Sequence, residues 1–432
     1  MKSITLLSAL LLIPGFATAQ APESAGASAA ALQPKVIEWR RDFHRHPELG
    51  NREFRSSERI AEHLKSLGLQ VETGVAHTGV VALLEGARPG PRLALRADMD
   101  ALPVTEQTGL PFASTATGEF RGEQVGVMHA CGHDGHMAIL LGVAEALAER
   151  RQSLAGSVLF IFQPSEEGPP EGEEGGAKLM LAEGLFQRYA PDAIVGLHLL
   201  SNFPVGTVAV RPGPIMAESD SFQIVVEGRQ THGSRPWSGV DPVLVGARII
   251  DGLQSIVSRR VDLTRSPAVV SVGAVKAGIR YNIIPDRMEL LGTIRSFEDD
   301  VREAIFADVQ QIAEHTAQAH GASASVKIDR HTVVLVNDSA LSAQLRPSLE
   351  RALGADQVLT APMSTVAEDF AYFAEEIPGY YYFVGSTPLS QDPATAPTNH
   401  SPLFDIDEDA LQVGVHSLLQ LSLDYLGANT QP

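Results

Sequence analysis

The hydrophobic pattern first separates the chain into alternating elements. Residues 53–68 place Ile60, Leu64 and Leu67 on one helical face, with Gly68 as the stop. Arg92–Arg96 reads as a strand. Residues 136–150 repeat Ile139, Leu140, Val143 and Leu147 at helical spacing, ahead of two compact apolar runs, 158–162 and 193–197, short enough for buried strands. Each of the three strands runs straight into polar, ionisable residues, and in open α/β sheets the strand C-termini are where ligands sit.

From about residue 216 the pattern changes. It predicts a strand over 222–227, a helix from the Asp241-Pro242 start to about Arg260, strands over 269–276 and 287–295, a helix over 298–320 and a strand over 323–330. That order, βαββαβ, is the ferredoxin-like plan. Afterwards the α/β signals resume, with a strand at 380–384 and an amphipathic helix over 409–425. The expectation is therefore an α/β host domain, residues 34–215 and 331–432, carrying an inserted ferredoxin-like domain at 216–330.

The first residues read differently. Lys2, the apolar run Ile4–Ile13 and Ala17-Thr18-Ala19 suggest a secretory signal over residues 1–19, cut after Ala19. The run is about half the ~20 residues of a membrane helix. Residues 20–33, rich in Ala, Ser and Gly, are expected to be a flexible leader. Export to the periplasm or medium follows from this reading.

Composition narrows the function. With 33 Lys+Arg against 52 Asp+Glu the formal net charge is −19, which argues against nucleic acid or a membrane surface as partner. The chain has one cysteine, Cys131, so no internal disulfide forms. An unpaired thiol is unusual in an exported protein. Either it is inertly buried or it is used.

The candidate chemistry is concentrated in short stretches. His129-Ala130-Cys131-Gly132-His133-Asp134-Gly135-His136 lies just ahead of the predicted helix, and Cys131 with His133 suits a borderline-soft cation such as zinc. Gln163-Pro164-Ser165-Glu166-Glu167-Gly168 follows a strand. Its adjacent carboxylates repel unless a cation binds one and leaves the other as a general base. His198 is expected to end a third strand, and His400 sits in Asn399-His400-Ser401-Pro402. Asp98 and Asp100, at a strand end, could ligate or orient a ligand through its second nitrogen. Taken singly, any of these histidines also reads as an ordinary polar residue. Asp405, Asp407 and Asp409 begin like a calcium loop but lack its Gly and Glu, and a helix N-terminal turn explains them better. No nucleotide loop, serine-elbow or H-E-x-x-H motif is present.

Together these stretches resemble the M20 metallopeptidase family, and within it the amidohydrolase branch of hippurate hydrolases, N-acyl-amino-acid amidohydrolases and auxin-conjugate hydrolases. The likeness runs from Arg40–Gly50 through Arg96–Pro103, the Cys131/His133 cluster, Gln163–Gly168, Gly196–His198 and Asn282–Pro285 to Asn399–Pro402. It implies two divalent metal ions, zinc foremost with manganese, cobalt or nickel possible, held by Cys131 as bridge with His133, Glu167, His198 and His400. Glu166 would be the general base for a metal-activated water. The lid would supply His232, which steadies the oxyanion in a partner subunit's site, and Asn282, which contacts substrate. This chain has Gln230-Thr231 before that histidine, where the family more often has a small Gly-Ala pair. The implied substrate is an N-acyl amino acid or short peptide, and the implied assembly a homodimer through the lid. Three other readings stay open on the residues alone: a metallo-carboxypeptidase or dipeptidase, a cysteine hydrolase using Cys131, and a non-catalytic periplasmic binding protein.

Overall fold

The computed structural model describes residues 24–428; the expected signal at 1–19 lies outside them. The principal elements of the host are α1 (Ala25–Arg45), α2 (Phe54–Ser66), β1 (Gln70–Val75), β2 (Gly79–Glu85), β3 (Arg88–Asp98), α3 (His133–Glu149), β4 (Ala155–Gln163), β5 (Ala193–Pro204) and β6 (Val208–Val210). The lid follows as β7 (Asp220–Glu227), α4 (Pro242–Ser255), β8 (Val269–Ala277), β9 (Arg287–Arg295), α5 (Asp299–Ala319) and β10 (Ser323–Arg330). The host then resumes with β11 (Val358–Thr360), β12 (Gly379–Thr387) and α6 (Asp409–Ala428).

The host sheet has eight strands in the order β1-β2-β4-β3-β5-β12-β6-β11. Its centre, β4, β3, β5 and β12, is parallel. Those strands are apolar on both faces because helices cover both. Helix α3 is buried on nearly its whole surface, packed between the sheet and helices α1 and α6. The parallel centre aligns the C-terminal ends of β3 and β4, so Asp98 and Gln163 face each other in register.

The lid sheet has the order β8-β9-β7-β10, with every pair antiparallel, and α4 and α5 bury Val245, Ile249, Leu253, Ile305 and Val309 against it. The fold is α/β, with a larger host domain and an inserted ferredoxin-like lid. Among the described residues no helix is long and apolar enough to cross a membrane.

The leader expectation fails from residue 25. Ala25–Arg45 is one helix, capped by the Ser24 side chain, which accepts from Ala27 N at 3.2 Å, and it carries Pro34 inside it. The alanines among the small residues that suggested flexibility are strong helix formers, and here the small residues serve as contact residues. Ala25 and Ala29 are buried, and Gly26 approaches the His416 ring so closely that a Cβ would lie 3.1 Å from it.

Two element ends also move. Helix α3 begins at His133 rather than 136, because Gly132 serves as its N-cap at φ +94°, a left-handed conformation suited to glycine. The third strand does not end at His198. It continues to Pro204, held in register by β12.

Candidate metal centre

The sulfur of Cys131 is the hub of the site. His198 Nε2 lies 3.4 Å from it and His400 Nε2 3.3 Å. Two potential ligand triples share this sulfur: Cys131, His133 and His198 on one side, and Cys131, Glu167 and His400 on the other. His133 also belongs to a group with Glu166 and Glu167.

Backbone carbonyls set the imidazoles. Nδ1 of His133 lies 2.8 Å from the Asp100 carbonyl, and Nδ1 of His198 lies 2.8 Å from the Leu199 carbonyl. With Nδ1–H donated to those carbonyls, each ring turns Nε2 toward the site, the atom a metal would take. His136 stands behind them. Its Nδ1 lies 2.6 Å from Asp98 Oδ1, and its Nε2 accepts from Leu199 N. The Asp100 carboxylate accepts from the backbone N–H of Glu167 at 2.9 Å, fixing the loop after β4. Asp98 and Asp100 thus act by different routes, one through His136 and the other through its carbonyl and the Glu167 backbone.

Both ligand-bearing loops contain a non-glycine residue at positive φ: Ser165 at +57° and His400 at +70°. Such conformations cost on the order of 1 kcal/mol or more and persist only where the surroundings impose them. At His400 the surroundings are specific. Its N–H donates to the Ala130 carbonyl at 2.7 Å, and Asn399 Nδ2 donates to the carbonyls of Cys131 and Leu199.

The residues fit a pair of cations. His133 Nε2 and Glu167 Oε1 are buried without a hydrogen-bond partner, although the latter lies 3.0 Å from His400 Nε2. Burial, with Glu167 and Glu166 alongside, pushes the Cys131 thiol well above its ordinary range, so the protein's own groups give the thiolate no support. Burial opposes protonation of His133, yet Asp98 and Asp100 carry its pKa up to about 10. Burial and the neighbouring carboxylates of Glu368 and Glu167 push Glu166 well above the usual carboxylate range. Arg96 compensates Asp98, Glu368 and Asp369, but among the described residues no Lys or Arg pairs with Glu166, Glu167 or Cys131, a crowding that divalent ions relieve.

Glu368 and Asp369 were not legible as part of this site. They approach Glu166 from the loop before a short helix at Phe370–Glu376, and Arg96 holds them in place. Arg96 is wholly buried and reaches Asp98 at 2.7 Å, Glu368 at 2.9 Å and Asp369 at 3.1 Å. An acidic pair before an apolar run was the only sequence signal, and it also suits an ordinary helix start.

A cleft of about 660 Å³ opens beside Glu166 and Glu167, with Glu368 and Asp369 in its wall and Arg295 of the lid lining it. Arg295 is half-buried, has no carboxylate partner among the described residues, and donates to the Ile294 carbonyl at 2.8 Å. The structure brings Glu166, Glu167, Cys131, His133, His198 and His400 together, with Asp98 and Asp100 behind them. It does not bring in the lid residues. His232 is exposed on a short strand paired with Ile283, next to Asn282, and neither falls in the ligand groups or lines the cleft. The Nδ1 of His232 accepts from the Ser234 N–H at 3.0 Å, which leaves Nε2 as its free edge.

Comparison with known proteins agrees with this geometry. Residues 94–424 match the profile of peptidase family M20/M25/M40. The chain is 37% identical to the N-acetylcysteine deacetylase of Bacillus subtilis, covering 91% of this chain and 97% of that one. It is also 37% identical to thermostable carboxypeptidase 1 of Saccharolobus solfataricus, covering 90% and 95%. Its structure superposes on the Bacillus subtilis YXEP protein, a dinuclear metal binding peptidase from the M20 family, with a TM-score of 0.76 and 35% identity over 92% and 99% of the two chains. With the parallel sheet, the inserted lid and the shared-sulfur ligand groups already in place, the chain belongs to the M20 peptidase family and is a hydrolase of amide or peptide bonds.

Proposed function

We propose that the protein is a two-metal amidohydrolase that cleaves the amide bond of N-acyl amino acids, hippurate-like conjugates among them. The observation that carries this reading is the convergence of two ligand triples on one buried sulfur, with Glu166 beside them and outside both. Cys131 would be shared by both ions, His133 and His198 would complete one site, and Glu167 and His400 the other. Thiolate and imidazole favour zinc, with manganese, cobalt or nickel able to substitute. Bound there, a divalent pair supplies Lewis acidity, polarising the scissile carbonyl and making water easier to deprotonate.

The chain's own residues do the rest. Glu166 takes a proton from the attacking water and returns it to the leaving nitrogen, for which a carboxyl raised above its ordinary range is suited. Arg295, half-buried and without an acid partner among the described residues, pairs with the substrate carboxylate. His232 donates from Nε2 to the developing oxyanion, and Asn282 contacts the substrate. Because His232 lies outside the cleft of its own chain, it serves the site of a second copy. The lid offers a surface for that copy in the edge strand β8 and the exposed Val275, Ile279 and Tyr281. We place the mature protein outside the cytoplasm, after removal of residues 1–19.

Equal likeness to a deacetylase and to a carboxypeptidase supports a second reading, cleavage of short peptides at the same site. One experiment addresses both. Metal content is measured by elemental analysis, and amine release is followed on a panel of N-acyl amino acids and dipeptides before and after chelation. Near two metals per chain, with activity lost on chelation and restored by a divalent cation, is expected. No metal with chelator-resistant turnover would overturn the reading and make Cys131 a nucleophile.

A further inference from the structure

Behind the metal centre, with no hydrogen bond to its ligands, lies a second polar cluster, buried at Arg40, Asp134 and His44 and partly exposed at Arg41, Asp405 and Glu408. Arg40 on α1 is 1% exposed, and its Nε lies 2.8 Å from Asp134 Oδ2, on the first turn of α3 next to His133. Its Nη2 reaches Asp405 at 2.9 Å and its Nη1 reaches Glu408 at 3.5 Å, both on the segment that runs from His400 into α6. Arg41 grips Glu408 as well, with Nε at 2.7 Å and Nη2 at 2.5 Å. His44, one turn on, shares the same Asp134 oxygen at 2.8 Å.

One guanidinium therefore joins the two segments that carry Cys131, His133 and His400, which also meet through the His400–Cys131 contact, the Asn399 amide and the packing of Phe404 and Ile406 against Gly132 and Gly135. The His400 side of the link has work to do. His400 sits at φ +70°, a conformation a non-glycine residue leaves unless it is held. On one flank it is held by the Ala130 carbonyl, and on the other by the chain that Asp405 and Glu408 anchor five and eight residues later. A planar fork with fixed donor directions suits this task better than a flexible ammonium.

The geometry points to Arg40 as a positioning residue that, through Asp405 and Glu408, keeps the His400 turn closed on Cys131 and so sets the affinity of the Cys131–Glu167–His400 metal site. This rests on the two-metal reading above. The other site, Cys131 with His133 and His198, is tied to the His400 segment through Asn399, which donates to the Cys131 and Leu199 carbonyls, and Asp405 and Glu408 make no contact with it.

The test is stepwise metal binding rather than turnover. Metal-free protein is titrated with Co²⁺, and each equivalent is followed by thiolate-to-cobalt absorption and calorimetry. The variants are the double substitution Asp405→Asn with Glu408→Gln, and Arg302→Met as a destabilised control. Arg302 pairs with Glu218 and Asp220 and touches none of the metal-ligand groups. In the double variant the first equivalent is expected to bind as in the wild type, and the second about 10–100-fold more weakly, the usual cost of losing an outer support. Arg40→Lys, which keeps the charge but not the fork, is expected to weaken the second equivalent too, but without the selectivity, because the same guanidinium holds Asp134 beside His133. Two equivalents binding to the double variant as in the wild type would overturn the proposal. So would a parallel weakening of both equivalents in the double variant that follows the unfolding midpoint as it does in the control. A wild-type protein that takes up fewer than two equivalents would instead overturn the two-metal reading itself, and this proposal with it.

Discussion

Arg96 and Glu368 meet at 2.9 Å with neither side chain reaching solvent, although 272 residues separate them. The same guanidinium holds Asp98 and Asp369, so three carboxylates beside the metal centre depend on one cation. Removing one partner of a buried pair costs on the order of 3–5 kcal/mol, because the remaining charges stay buried. Arg96→Met is therefore expected to lower the urea unfolding midpoint by at least that equivalent. A variant as stable as the wild type would show that these carboxylates are neutral and need no partner.

Glu166 stands next to the ligands and outside both triples. Glu166→Ala should keep its metal content and lose turnover by about 10²–10⁴-fold, the proton-transfer share. Elemental analysis beside kcat separates the outcomes. Loss of metal with loss of rate would mean that Glu166 ligates and Glu167 is the base.

The shared sulfur predicts an asymmetry between variants. Cys131→Ala should empty both sites, whereas Glu167→Ala should weaken one. Metal-to-protein ratios after dialysis against weak chelator check this. Equal losses in the two variants would argue against a bridging thiolate.

His44 gives a pH signature remote from the metals. Burial opposes its charge, but hydrogen bonds to Asp134 and Glu106 raise its pKa from 6.5 to about 9. A raised value in the folded state stabilises fully below the unfolded pKa, and that contribution disappears as pH climbs through about 9. The difference is worth roughly 3 kcal/mol. The unfolding midpoint should fall between about pH 6.5 and 9, and His44→Gln should flatten that slope. An equally steep slope in the variant would assign it to another group.

If His232 serves a second copy, two dead variants should rescue each other. Glu166→Ala mixed with His232→Ala after subunit exchange should recover about a quarter of wild-type sites, because half the dimers are mixed and each has one intact site. No recovery, with mixed dimers demonstrated by mass, would place His232 in its own chain's site or in none.

The alternation of elements and the inserted lid were legible because burial on a sheet or helix face leaves a local period. The ligand types were legible too, since Cys131, His133 and the Glu166–Glu167 pair are costly to place without a cation. Arg40 and Arg96 were not, because their partners lie far along the chain and such pairing leaves no period to read. The Ala-rich start was misread for a related reason: small residues serve a loose tail and a tightly packed helix equally well. What decided it was the neighbour, His416, almost four hundred residues away.

The parallel pairing of β5 with β12 has a consequence for the order in which the protein can be made. The two strands are hydrogen-bonded neighbours, yet the whole lid is synthesised between them. Until Gly379–Thr387 has emerged, β5 presents an open edge, and the His400 turn does not yet exist. The lid, with its own core and sheet, is complete by Arg330. The inserted unit can thus settle before the host sheet closes, and the centre that binds metal waits for the His400 turn, with α6 still to follow.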